Sequence, residues 1–231
     1  MDRAVSTDAA PIAALFDIDG TLIVTGGAGG RAWRRAFRSL FDVDVDIADY
    51  SESGETDPQV ARNCFRGALG REPDRRELTR LLAGYLDALP EEIEGSEGYR
   101  VLPGVHAVLE RLRDEGVMLG LTSGNVEAAA HMKIARARLN RFFSFGGYGS
   151  DSNDRTELTR RAIERAGMIH GEEIDPARCE VVGDTPRDIA AAHGARAVAV
   201  GVATGDYTAR DLRSAGADHV LGSLEEPFPG L

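Results

Sequence analysis

The chain has 231 residues, 42% hydrophobic and 28% charged, enough for one core of ordinary size or a core with a small accessory domain. Its net charge of −11 at pH 7 argues against nucleic acid or an anionic membrane as the main partner. No stretch reads as a signal peptide or a membrane span, because the apolar run in "MDRAVSTDAAPIAALF" is short and flanked by acids. Cys64 and Cys179 lie far apart and outside metal-ligand spacing, which points to reduced thiols in a cytoplasmic protein.

"PIAALFDIDG" is an apolar run that closes on two acids and a glycine, the pattern of a buried strand. The glycine cluster of "LIVTGGAGGRAWRRAF" follows. From Gly29 to about Leu89 three segments, "GRAWRRAFRSLF", "DPQVARNCFRGAL" and "DRRELTRLLAGYLDAL", carry apolar residues at helical spacing with no strand between them. Trp33 and Phe37 fall on the core side of the first. "EEIEGSEGYRVLPG" reads as a solvated linker.

Beyond Pro103 helices and strands alternate. Helical "GVHAVLERLRDEG" precedes the strand "VMLGLT", and "NVEAAAHMKIARARL" leads to a strand near "FFSFGG". "RTELTRRAIERAG" precedes "CEVVGD", "PRDIAAAHGA" precedes "RAVAVGVA", and "ARDLRSAG" precedes a short "DHVLG". The fold class is therefore α/β, a doubly wound parallel sheet with helices on both faces and chemistry at the carboxyl ends of its strands. The expected core is 1–24 and 99–231, with a helical block, 25–98, inserted after the first strand.

Those strand ends carry Asp17-Ile18-Asp19-Gly20-Thr21, Thr122-Ser123-Gly124-Asn125 and Gly183-Asp184-Thr185-Pro186-Arg187-Asp188, and Arg155 opens the helix before the last of these. A carboxylate such as Asp17 can attack phosphorus. Asp19, two residues on in an extended segment, points to the same side and can exchange a proton with the leaving oxygen. Asp184 and Asp188 offer hard oxygens for Mg²⁺, and Ser123 offers a donor for a phosphoryl oxygen. The plainer alternative is a set of loop acids capping helices.

These segments, in this order, resemble the four motifs of the haloacid dehalogenase-like hydrolases, whose commonest members are phosphatases. The resemblance spans essentially the whole chain. It implies a Rossmann-like core, a strand-hairpin flap after the first motif, and an inserted helical cap of the C1 type. It further implies a Mg²⁺-dependent phosphomonoester hydrolase, a monomer or homodimer, acting on a small phosphorylated metabolite through an aspartyl phosphate. Asp17, Asp19, Ser123 and Arg155 would be catalytic, and Asp17, Asp19, Asp184 and Asp188 would hold the metal. Gly20, Thr21, Gly124 and Asn125 would line the substrate site.

Arg155 takes the place of the third-motif cation, where many relatives carry lysine. Lys133, the sole lysine of the chain, falls mid-helix and reads better as a solvated residue. Arg187 competes weakly with Arg155, and Thr122 replaces Ser123 if the strand register shifts by one. In the cap, Arg31, Gly54 and Thr56, with Ser53 and Glu55, are candidates for reading the leaving group. Thr56 reads equally well as the cap of the helix at Asp57-Pro58.

The glycine cluster reads as a hinge for the cap or as a plain flexible loop. A dinucleotide turn is disfavoured, because "DIDGT" already follows the strand and Ala32 stands where that pattern needs glycine. Within the family, Asp19 with Asp184 and Asp188 argues against a dehalogenase. The lack of lysine in 25–98 argues against phosphonoacetaldehyde hydrolase, which needs one for a Schiff base. A phosphoglycolate phosphatase-like enzyme or a sugar phosphatase is nearest in layout, although Glu55 sits badly beside a substrate carboxylate. A β-phosphoglucomutase-type mutase and a non-catalytic binding protein on the same fold remain as alternatives.

Overall fold

The apolar run at 13–16 forms β1 (Ala13–Phe16) in the middle of a sheet of six. This and all that follows is seen in a computed structural model, which describes residues 11–231. Most of the amino-terminal stretch considered as a possible leader, residues 1–10, lies outside the described residues. After β1 come β2 (Ile23–Thr25), α1 (Ala28–Phe41), α2 (Asp57–Leu69), α3 (Arg75–Glu94) and β3 (Tyr99–Val101). The remainder alternates: α4 (Val105–Asp114), β4 (Met118–Ser123), α5 (Glu127–Ala135), β5 (Phe145–Tyr148), α6 (Arg155–His170), β6 (Cys179–Gly183), α7 (Pro186–Gly194), β7 (Val198–Val202), α8 (Ala209–Ser214) and β8 (His219–Leu221).

The sheet is parallel throughout, in the order β5-β4-β1-β6-β7-β8. The chain winds from β1 to one side through β4 and β5, then crosses back to β6 on the other. The carboxyl end of β1 is thus the switch point of a doubly wound sheet, where a crevice opens. Alternate β1 residues serve opposite faces: Ala14 and Phe16 pack with Val105, Leu109 and Leu112 of α4, while Ala13 and Leu15 join Ala162, Ala166 and Ile189 of α6 and α7.

The inserted block has its own core. Trp33, Ala36 and Phe37 of α1 meet Cys64 and Phe65 of α2 and Leu81, Tyr85 and Leu89 of α3, and Ala129 of α5 completes the cluster. Gly84 of α3 faces α1, where a Cβ would lie 3.3 Å from the Leu40 Cδ1 and in ordinary contact with Ala36. Asp74 starts α3 in a reciprocal capping box with Glu77.

The reading of 91–104 as a solvated linker needs correction. The expected solvated linker is helical to Glu94, running through Pro90, and then pairs as a strand. Glu92, its side chain 16% exposed, pairs with both Arg31 and Arg35 on α1, while Glu91 stays solvated and pairs with Arg35. β3 lies antiparallel to β2, with Thr25 opposite Tyr99, so both chain crossings into the helical block run side by side as a two-stranded ribbon. At its end Gly26 and Gly27 adopt φ of 61° and 80°, and a Cβ on Gly26 would come within 2.6 Å of the Gly98 backbone.

β6 contains one misfit. Glu180 is 7% exposed, and its Oε2 has no hydrogen-bond partner among the described residues. Burial alone pushes its carboxyl from 4.5 to about 8. The folded protein therefore favours the neutral acid, and stability falls as pH rises from the unfolded pKa through the folded one. Each tenfold change in proton affinity is worth ~1.4 kcal/mol, so the expected gain from Glu180→Leu is several kcal/mol above pH 8 and little near pH 4. Melting temperatures across that range test it; a gain that does not vary with pH would remove titration as the cause.

Candidate active site

The carboxyl ends of β1, β4 and β6 and the first turn of α6 bring the acids and cations together. Asp17 follows β1, fixed by its own N–H donating to the Val182 carbonyl at 2.8 Å. Burial, then Asp188, pushes the Asp17 carboxyl up to about 7 against the opposing pull of Arg155. Asp184, beyond β6, accepts from the Thr21 hydroxyl at 3.0 Å and is pushed up to about 8 by burial and then by Asp17 and Asp188. The backbone is moulded round it: a Cβ on Gly20 or Gly205 would lie 2.4 or 1.8 Å from its Oδ2.

Asp188 belongs to the first turn of α7, where one oxygen accepts from Thr185 N–H and Oγ at 3.1 and 2.7 Å. Its other oxygen meets the Arg155 guanidinium, which also reaches Asp17 Oδ1 at 3.5 Å. Arg155 is held in its charged form because those carboxylates outweigh the burial that would discharge it.

Oxygens of Asp17, Asp184 and Asp188 all lie within 4.8 Å of one another, and all three residues are buried. Burial and mutual repulsion raise two of the three, so the cluster calls for a cation. An all-oxygen donor set of this kind fits a hard divalent ion such as Mg²⁺. The metal set expected from the sequence also included Asp19. Its carboxylate instead turns to the other side of the site, accepting from Lys133 Nζ at 2.7 Å and Asn125 Nδ2 at 2.9 Å.

Lys133 overturns the expectation of a solvated helix lysine. Its side chain is 9% exposed. Burial would lower its pKa, but Asp19 and Asp57 outweigh it and hold the ammonium above its ordinary range. The signal was present in the sequence: Ala129, Ala130, Lys133 and Ile134 form the buried stripe of α5, and the single lysine stands on it. Asp57, which the sequence marks only as a helix start, is a second residue of the site that sequence reasoning missed. It lines the cavity, accepts from the Val126 N–H at 2.8 Å, and is pushed up to about 6 by burial.

Ser123 lines the cavity, its Oγ accepting from Asn125 Nδ2 at 2.8 Å, whereas Thr122 faces Thr159 on α6; the register favours Ser123. Gly124, Asn125 and Gly54 line the same cavity of about 250 Å³, which lies between the strand ends and the helical block. Gly20 and Thr21 do not line it and instead support Asp184.

Arg31 does not line the cavity; it bonds Glu92 and the Gly26 carbonyl at 2.8 Å each and so braces α1 against α3 and the ribbon. Thr56 is buried with its hydroxyl on Asn153 at 3.1 Å, so it neither lines the cavity nor caps α2 by its side chain. Arg187 pairs with the exposed Glu52 and does not line the cavity, so it does not compete with Arg155.

A family model described as haloacid dehalogenase-like hydrolase matches residues 13–196. The chain belongs to that family. Its relatives in the haloacid dehalogenase-like family include the "Probable phosphatase IndB" of Dickeya dadantii (strain 3937), 26% identical, with 92% of this chain and 90% of the relative covered. The phosphoglycolate phosphatase of Synechococcus elongatus is 28% identical over 90% of this chain and 92% of its own. Among solved structures, a β-phosphoglucomutase from Clostridium difficile superposes with a TM-score of 0.73 at 19% identity, covering 94% of each chain, a likeness of fold. The protein is thus a family hydrolase of the phosphatase kind.

Proposed function

We propose that the protein is a Mg²⁺-dependent phosphomonoester hydrolase that works through an aspartyl phosphate on Asp17, with residues 25–98 acting as its cap. The convergence of Asp17, Asp184, Asp188, Arg155 and Ser123 at one sheet edge carries this reading. An oxygen of Asp17 attacks phosphorus, the bond from phosphorus to the leaving oxygen breaks, and that oxygen takes a proton from Asp19. Oδ2 of Asp19 is committed to Lys133 and Asn125, which leaves Oδ1 for this transfer. In the second half Asp19 takes a proton from water, the water oxygen attacks phosphorus, and Asp17 departs with its oxygen. Ser123 and Arg155 steady the equatorial oxygens in both halves. Mg²⁺, when held by Asp17, Asp184 and Asp188, offsets repulsion between these acids and the phosphate dianion.

Phosphate release from a panel of small esters, with Mg²⁺ and with chelator, tests the reading. Chelation is expected to lower the rate about tenfold or more. Release that is indifferent to chelator would remove the metal from the reading. Isomerised sugar phosphate in place of free phosphate would move the protein to the mutases.

A further inference from the structure

Tyr85 of α3 lines the active-site cavity, is 0% exposed, and carries a hydroxyl with no hydrogen-bond partner among the described residues. Its ring is stacked on Trp33 of α1, centroids 4.1 Å apart and planes 4° from parallel, so two helices fix its position. A buried, unpaired hydroxyl is costly in a native fold and calls for a partner. A tyrosine placed only for packing would serve as well as phenylalanine.

Every charge around that hydroxyl is already answered. Glu52 and Glu55 lie against Arg187, and Glu55 also accepts from Asn63. Asp57 accepts from the Val126 N–H and feels the Lys133 ammonium, which itself sits on Asp19. Arg155 is held by Asp17 and Asp188. No cation of the helical block lines the cavity, since Arg31 is bound to Glu92. A leaving group bearing a carboxylate would meet three acids and no free cation there. A leaving group bearing an ammonium would meet acids that already have partners. Two buried polar atoms of the lining residues stay unpaired: Arg155 Nε, among the acids at the strand ends, and, on the side of the helical block, the neutral Tyr85 hydroxyl.

We propose that the Tyr85 hydroxyl binds a hydroxyl of the departing alcohol, making Tyr85 a specificity-determining residue that selects small phosphorylated polyols and sugars over esters carrying a carboxylate or an amine. This rests on the phosphatase reading above. The cavity of about 250 Å³ is below the usual range of roughly 300–1,000 Å³ for drug-sized ligands, which suits a small alcohol.

The test compares glycerol 3-phosphate with propyl phosphate, 2-phosphoglycolate and 2-aminoethyl phosphate, by phosphate release from wild type and Tyr85→Phe. Calorimetric binding of the same esters to Asp17→Asn and to Asp17→Asn/Tyr85→Phe runs in parallel. Wild type should prefer glycerol 3-phosphate in kcat/KM, and Tyr85→Phe should cut its preference over propyl phosphate about fivefold or more, with the same narrowing in affinity. A preference unchanged in Tyr85→Phe, or 2-phosphoglycolate or 2-aminoethyl phosphate turned over best, overturns the inference while the phosphatase reading stands. No release and no binding of any ester by folded protein overturns both.

Discussion

Asp17→Asn is expected to lower phosphate release by about 10⁴-fold or more and, without divalent metal, to melt at a higher temperature than wild type. Both effects have one source. The nucleophile must be a carboxylate, yet burial and Asp188 push that carboxyl up to about 7, and Arg155 only partly offsets them. A folded pKa above the ordinary 3.8 means that the fold favours the protonated form. The penalty is absent near pH 4, grows as pH rises toward 7, and is full above it. Asparagine keeps an acceptor for Arg155 and sheds the charge, so its stabilising effect should be greatest near pH 8 and vanish near pH 4.

Added Mg²⁺ should shrink or reverse that gain, because wild type then gains binding energy that the variant partly lacks. Melting curves at pH 4 and pH 8, with Mg²⁺ and with chelator, measure this directly. A variant that still releases phosphate would remove Asp17 as nucleophile. One that is less stable at pH 8 in chelator would mean that Arg155 already neutralises the cluster.

The fold was legible because its signals are local. Alternating strand and helix periods placed β1, β4, β6 and β7, and turn chemistry placed Asp17, Asp184 and Asp188 at their ends. What could not be read depended on partners distant in sequence. Tyr99–Val101 is a strand only because Ile23–Thr25 lies beside it, and its flanking glutamates and glycines look like solvated linker. Arg31 carries the right chemistry for a phosphate ester, but Glu92, 61 residues away, claims it. Asp19 stands beside the cluster of Asp17, Asp184 and Asp188, but its direction is set by Asn125 and Lys133, over 100 residues on. Motif spacing gives position along a strand end and leaves the side chain's bearing to tertiary packing.

Lys133 carries the second large effect. Substitution of an exposed mid-helix lysine changes stability by no more than about 0.5 kcal/mol and leaves catalysis alone. This one is buried, bonds Asp19 at 2.7 Å, and is the nearest compensation for Asp57. Lys133→Met keeps the length and apolar stem but leaves two carboxylates without their cation. Removing one partner of a buried pair is far more damaging than removing both. The variant should therefore lose stability near pH 8 and recover part of it near pH 4, where Asp57, pushed up to about 6 by burial, is protonated. Phosphate release should fall about 10²–10³-fold, the size expected when one fixed charge beside the reacting group is lost. The double variant Lys133→Met/Asp57→Asn sheds one of the stranded charges and should regain stability without regaining activity. If the double variant recovered both, the lysine would be a structural counter-ion only; if Lys133→Met cost neither, the buried stripe of α5 would have to open to water in solution.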